Sequence, residues 1–113
     1  MINIKPLKAY TDNYIWLLET NEEVSIVDPG DAKPVLDYLS KTNKNLRDIF
    51  ITHHHFDHTA GVPELENIIS GSIYGPKNSY ELINEKVTQG DTLSSLGIKF
   101  EIIEVPGHTL DHI

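Results

Sequence analysis

Apolar residues along the chain gather into short runs of two kinds. In "NYIWLLE" (13–19) and "EVSIVDPG" (23–30) they are dense enough to read as strands, parted by a polar turn around Asn21 and Glu22. After Gly30 the spacing changes. Ala32, Val35, Leu36 and Leu39 fall at i, i+3, i+4 and i+7, which predicts an amphipathic helix. Asp31 is placed to cap it, and Pro34 falls in the first turn, where a missing N–H costs little. "DIFIT" then reads as a buried strand, and Val62, Leu65, Ile68 and Ile69 predict a second helix. "GSIYG" and "IKFEIIEVP" are further strands, the latter introduced by a turn at Leu96-Gly97. The order β-β-α-β-α-β predicts an α/β layered sheet, with no repeat, low-complexity tract or linker in it.

Composition narrows the function classes. The chain has 113 residues and a formal charge of −8, against the clustered Lys and Arg of a nucleic-acid surface and with no bias towards an anionic membrane. It has no cysteine, which excludes disulfides, thiolate metal sites and a cysteine nucleophile, and fits a reducing cytoplasm. "MINIKPLKAY" has no apolar signal-peptide core, and the longest apolar run, Tyr14 to Leu18, is far too short to span a bilayer. The expectation is a soluble cytoplasmic protein without nucleic-acid or membrane partners.

Candidate chemistry concentrates in "THHHFDHTAG", directly after the strand "DIFIT". His53 and His55 are two apart, so in extended backbone their side chains leave on the same side, while His54 points away and is read as a non-ligand. Asp57 and His58 follow where the next helix begins. The group stands at the C-terminal edge of a strand, where open α/β sheets place their sites. Neutral imidazole and carboxylate suit zinc, manganese or iron. A loop of this kind rarely closes a coordination shell alone, and "EVPGHTLDHI" offers a remote ligand, His108, behind Pro106 and Gly107. His112 is read as a supporting or sheet-packing histidine.

These motifs resemble a known family. "THHHFDHTAG" is similar to the T-H-x-H-x-D-H signature of the metallo-β-lactamase superfamily, and "PGHT" to its next metal motif. "TDNYIWLL", "VDPGDAKPVLDYL", "YGPK" and "VTQGDTL" resemble the hydroxyacylglutathione hydrolases (glyoxalase II) within it. The resemblance implies an α/β (α+β) fold, namely the N-terminal half of an αββα sandwich. It implies that His53, His55 and His108 bind a first metal and Asp57 and His58 a second, with zinc expected and iron or manganese as alternatives. Asp28 matches an aspartate that braces the histidine loop. At Asp111 the chain departs from the glycine more common in the family.

The implied activity is hydrolysis of a glutathione thioester, S-D-lactoylglutathione or a related 2-hydroxyacyl thioester, as in methylglyoxal detoxification. Asp57 would orient the metal-bound hydroxide. Competing readings keep the fold: a persulfide dioxygenase with mononuclear iron, a phosphodiesterase disfavoured by the acidic charge, or a flavodiiron-type oxidoreductase, which usually carries Glu where this chain has His55. A further reading is a metal-binding fragment without activity. The chain stops on "HTLDHI" straight after a motif, so residues 1–113 are expected to be a single domain truncated at its C-terminal end. "YIWLL", "SIV" and "IFIT" are read as buried on both faces, which predicts self-association through an exposed half-sandwich face.

Overall fold

The computed structural model describes residues 2–9, 13–77, 80–105 and 113. Six strands form one mixed sheet in chain order: β1 (Asn3–Ala9), β2 (Asn13–Glu19), β3 (Glu23–Val27), β4 (Asn45–Phe50), β5 (Ile73–Pro76) and β6 (Glu85–Val87). β1, β2 and β3 pair antiparallel, while β3 to β6 run parallel. β7 (Thr92–Ser95) and β8 (Ile98–Glu101) make a separate hairpin. Helix α1 (Ala32–Thr42) links β3 to β4, and the short helices α2 (Phe56–Thr59) and α3 (Val62–Leu65) follow β4. The α/β expectation therefore holds, with β1, β6 and β7 added to the strands read from the sequence.

The core lies on the face of the sheet covered by α1 and α3. Ile15, Leu17, Val24, Ile26, Ile49 and Ile73 point into it and meet Val35, Val62 and Leu65. Each such side chain contributes roughly 1.5–3 kcal/mol through its removal from water. Asp31 caps α1 by accepting a hydrogen bond from the Lys33 N–H at 3.1 Å, and Asn43 ends it in a left-handed conformation, φ 58°. Leu36, read as part of the buried stripe, sits at its exposed rim.

The second predicted helix is broken. Val62 and Leu65 are fully buried on α3, but residues 66–68 form a 3-10 turn that leaves Ile68 exposed. The break lies after Leu65, and Ile69 is already extended, while Gly61 and Pro63 set where α3 begins. Pro63 cannot donate to a preceding turn and so starts a new helix. The Gly61 N–H bonds the Pro29 carbonyl at 2.9 Å, at a place where a Cβ would stand 2.6 Å from that oxygen.

The opposite face is partly open. Strand register places Ile4, Trp16, Leu18, Ser25, Val27, Phe50 and Tyr74 together on it. β2 alternates, with Tyr14 and Trp16 exposed, so "YIWLL" is buried on one face only. The β7–β8 hairpin covers part of this face. Ser95 donates to the buried Asp48 carboxylate at 2.6 Å, so Ser25, 2.8 Å from the Ser95 oxygen, is the donor of that second bond. Beside the hairpin an apolar hollow of about 330 Å³ is lined by Leu18, Val27, Phe50, Tyr74, Leu93 and Phe100.

Glu19 breaks the apolar alternation of β2, since its carboxylate is buried yet faces inward. Lys5 and Lys44 each reach one of its oxygens at 3.1 Å and the Tyr38 hydroxyl donates to the other. Burial pushes the Glu19 carboxyl up, but the bonds from Tyr38, Lys44 and Lys5 outweigh it and hold it below its usual 4.5. A depressed carboxylate stabilises the fold above about pH 4.5, and that contribution is lost as pH falls through the folded value. Glu19→Gln should cost about 1–3 kcal/mol at neutral pH, and should flatten the acid limb of the melting temperature against pH. An unchanged acid limb would show that the cluster does not carry it.

Candidate metal centre

The site is built where two parallel strands end side by side. At the end of β3, Asp28 turns into a left-handed conformation, φ 53°, while its N–H still bonds the Phe50 carbonyl of β4 at 2.8 Å. That turn aims the buried carboxylate across the exit of β4. Its Oδ1 accepts the Thr52 N–H at 2.8 Å; its Oδ2 accepts the Thr52 hydroxyl at 2.6 Å and faces His58 Nδ1 at 3.1 Å. The bracing role expected for Asp28 is thus visible in its bonds.

These bonds decide the histidine tautomers. The Thr52 hydroxyl has given its proton to Asp28, so at 2.9 Å it can only accept from His53 Nδ1. His58 Nδ1 faces a carboxylate and must donate to it. In the neutral form both imidazoles therefore carry the proton on Nδ1 and the lone pair on Nε2, the nitrogen left to bind a metal. The His58 imidazole is held above its usual 6.5, chiefly by the Asp28 hydrogen bond; burial opposes this, and the charges of Asp28 and Asp57 add to it.

Ligand-type atoms of Asp28, His53 and His58 lie within 4.8 Å of one another. Asp28 has both oxygens engaged and stands behind the histidines, so it is better placed as an outer carboxylate than as a ligand. The His53 and His58 ring centres are 4.2 Å apart, and His55 lies edge-on to His53 at 5.0 Å. His54 is exposed, as its place in the alternation predicts. The donor set of imidazole and carboxylate suits a divalent metal.

Asp57 sits at the start of α2 with its side chain half exposed, and its Oδ2 is 3.7 Å from His58 Nε2. Asn13 Nδ2 donates to that same Oδ2 at 2.9 Å and to the Asp57 carbonyl at 3.1 Å. The Asn13 bond is the main reason the Asp57 carboxyl lies below its usual 3.8; partial burial opposes it, and His58 and His55 reinforce it. The structure thus brings His53, His55, Asp57 and His58 into one cluster. His108, Pro106, Gly107, Asp111 and His112 lie outside the described residues. Sequence reasoning assigned no role to Asn13 or Thr52, because no spacing rule links Asn13 to a partner 44 positions away.

Comparison with known proteins places this cluster in context. The profile of the Metallo-beta-lactamase superfamily matches residues 11–113. The chain is 49% identical over 120 residues to the hydroxyacylglutathione hydrolase of Pseudoalteromonas translucida, covering 100% of this chain and 46% of that protein. It is 47% identical over 116 residues to the hydroxyacylglutathione hydrolase of Chromohalobacter salexigens, covering 100% and 46%. The chain spans about half the length of the curated relatives it matches. Among solved structures, BLEG-1 B3 metallo-beta-lactamase superposes with a TM-score of 0.85 at 19% identity, covering 97% of this chain and 65% of that one. ETHE1 from Myxococcus xanthus gives 0.77 at 24%, covering 99% and 51%. At these identities the likeness is one of fold.

Gly30 is the tightest point of the cluster. A Cβ there would stand 1.8 Å from the Asp57 carbonyl oxygen and 2.5 Å from its carbon, both backbone atoms. Gly30→Ala should therefore displace the first turn of α2, cost about 1–3 kcal/mol by overpacking and weaken metal binding. Thermal melts with and without added zinc test this, and a variant that melts and binds like the parent would contradict the close approach.

Proposed function

This chain belongs to the metallo-beta-lactamase superfamily, and on that premise we propose that it is the N-terminal part of a cytoplasmic, metal-dependent hydroxyacylglutathione hydrolase. The reaction is cleavage of S-D-lactoylglutathione, or a related 2-hydroxyacyl thioester, by water to the hydroxy acid and glutathione. The observation that carries this reading is identity of 42–49% along essentially the whole chain to proteins of that name. The donor cluster at the ends of β3 and β4 supports it.

His53, His55 and His108 would hold one metal, and Asp57 and His58 a second. Zinc suits this set best, with iron or manganese as alternatives. When bound, such metals supply Lewis acidity that polarises a carbonyl and makes water a nucleophile near neutral pH. The remaining work belongs to the chain. Thr52 and Asp28 hold the two Nδ1–H tautomers so that Nε2 faces inward. Asp57, kept ionised, orients the attacking water and receives its hydrogen bond. The apolar face carrying Ile4, Trp16 and Phe50 is where the rest of the sandwich would pack, and in the 113-residue chain alone it would promote self-association. A second reading, metal binding without turnover by this chain by itself, is favoured by its spanning about half of its relatives' length.

The full-length protein should hydrolyse lactoylglutathione with release of free thiol, independently of oxygen, while the 113-residue chain alone should show little turnover. Strong turnover by the isolated chain, or none by the full-length protein, would contradict the proposal. A metal bound only to the native state should raise stability by about 2.7 kcal/mol at a hundredfold excess over Kd. Chelation should therefore lower the melting temperature of the parent clearly and that of His53→Ala much less. Equal melts of the parent with and without chelator would count against a bound metal.

A further inference from the structure

We propose that Asn13 is the positioning residue for the Asp57 carboxylate, and through it for the second metal. This rests on the reading of Asp57 as a ligand of that metal. Asn13 is the first residue of β2, half-buried, and one amide nitrogen serves both the carboxylate and the carbonyl of Asp57, at 2.9 and 3.1 Å.

The double bond pattern matters because Asp57 is half exposed. A side chain in that setting rotates among staggered conformers unless something fixes it. An amide that reaches both the backbone oxygen and the carboxylate of one residue selects the rotamer bringing Oδ2 back over its own main chain. Gly30 grips the same residue from its carbonyl side, so the main chain cannot swing to compensate. Oδ2, the oxygen that Asn13 fixes, is also the one 3.7 Å from His58 Nε2, so the bond sets the carboxylate beside the other ligand of that metal, the arrangement of ligating carboxylates that are themselves hydrogen-bonded. The strand β2 carrying Asn13 is anchored by Ile15 and Leu17 in the core. The anchor of Asp57 is therefore the rigid sheet rather than the histidine loop.

The test uses the full-length, zinc-loaded protein with Asn13→Leu, which keeps the branched shape and loses the donor, and Asn13→Gln, which keeps an amide. Competition titration with a chromophoric chelator resolves the two zinc affinities, and kinetics separate kcat from KM. Asn13→Leu should weaken the second zinc 10–100-fold, the range for outer-shell partners, and lower kcat by a similar factor. The first zinc affinity and KM should be essentially unchanged, since the bonds given for Asn13 run to Asp57 and not to a ligand of the first metal. Asn13→Gln should recover a substantial part of both losses. Asn13→Leu behaving like the parent, Asn13→Gln doing no better than Asn13→Leu, or both zincs weakening together would overturn the proposal, as would a parent that binds one zinc only. If the parent binds two zincs and the affinities follow the expected pattern but no glutathione thioester is cleaved, the substrate reading fails and the role of Asn13 stands.

Discussion

The rest of the site depends on one carboxylate in an unusual backbone conformation. Asp28 sits at φ 53°, a region that costs a residue with a side chain roughly 1–2 kcal/mol. In return its two oxygens tie three pieces of chain together: its own strand end, the exit of β4 through Thr52, and α2 through His58. Without that tie, the loop from Thr52 to His55 has little regular structure of its own, since α2 begins only at Phe56. The proton positions on His53 and His58 follow from the same carboxylate, so one residue sets both where the histidines stand and which nitrogen they offer.

Around this tie the sheet divides the labour. Its covered face supplies rigidity through Ile15, Leu17, Ile26 and Ile49, and the site hangs from the carboxyl ends of strands that this core immobilises. Its other face is held to the β7–β8 hairpin by the Asp48–Ser95–Ser25 chain and by Phe50 against Phe100, ring centres 5.5 Å apart. Apolar residues are left open on that face, Ile4 and Trp16 among them.

Much of this was legible in the residues. The periodicity after Gly30, with Asp31 as cap, located α1, and the alternation that turns His54 away from His53 and His55 agrees with His54 being the exposed one of the three. What was not legible has physical reasons. β1 carries Lys5, Pro6 and Lys8 on a largely exposed edge strand, so it lacks the apolar alternation by which strands are recognised. The helix expected at 62–69 ends at Leu65 and passes into a 3-10 turn, while its start is set by Gly61 against the Pro29 carbonyl, a contact with a distant segment that no local period reveals. Glu19 looked like a strand terminus until Lys5, Lys44 and Tyr38 converged on it from three elements. Asn13 escaped notice for the same reason, as its partner is set by strand register.

The central claim is that the Asp28 carboxylate organises a metal site made by the histidine loop. Zinc affinity measured by competition titration for the parent and for Asp28→Ala, both shown by circular dichroism to be folded, tests it most directly. The account predicts a loss of about 10–100-fold in the variant, with the folded signal kept. A folded Asp28→Ala protein that binds zinc as tightly as the parent would contradict it.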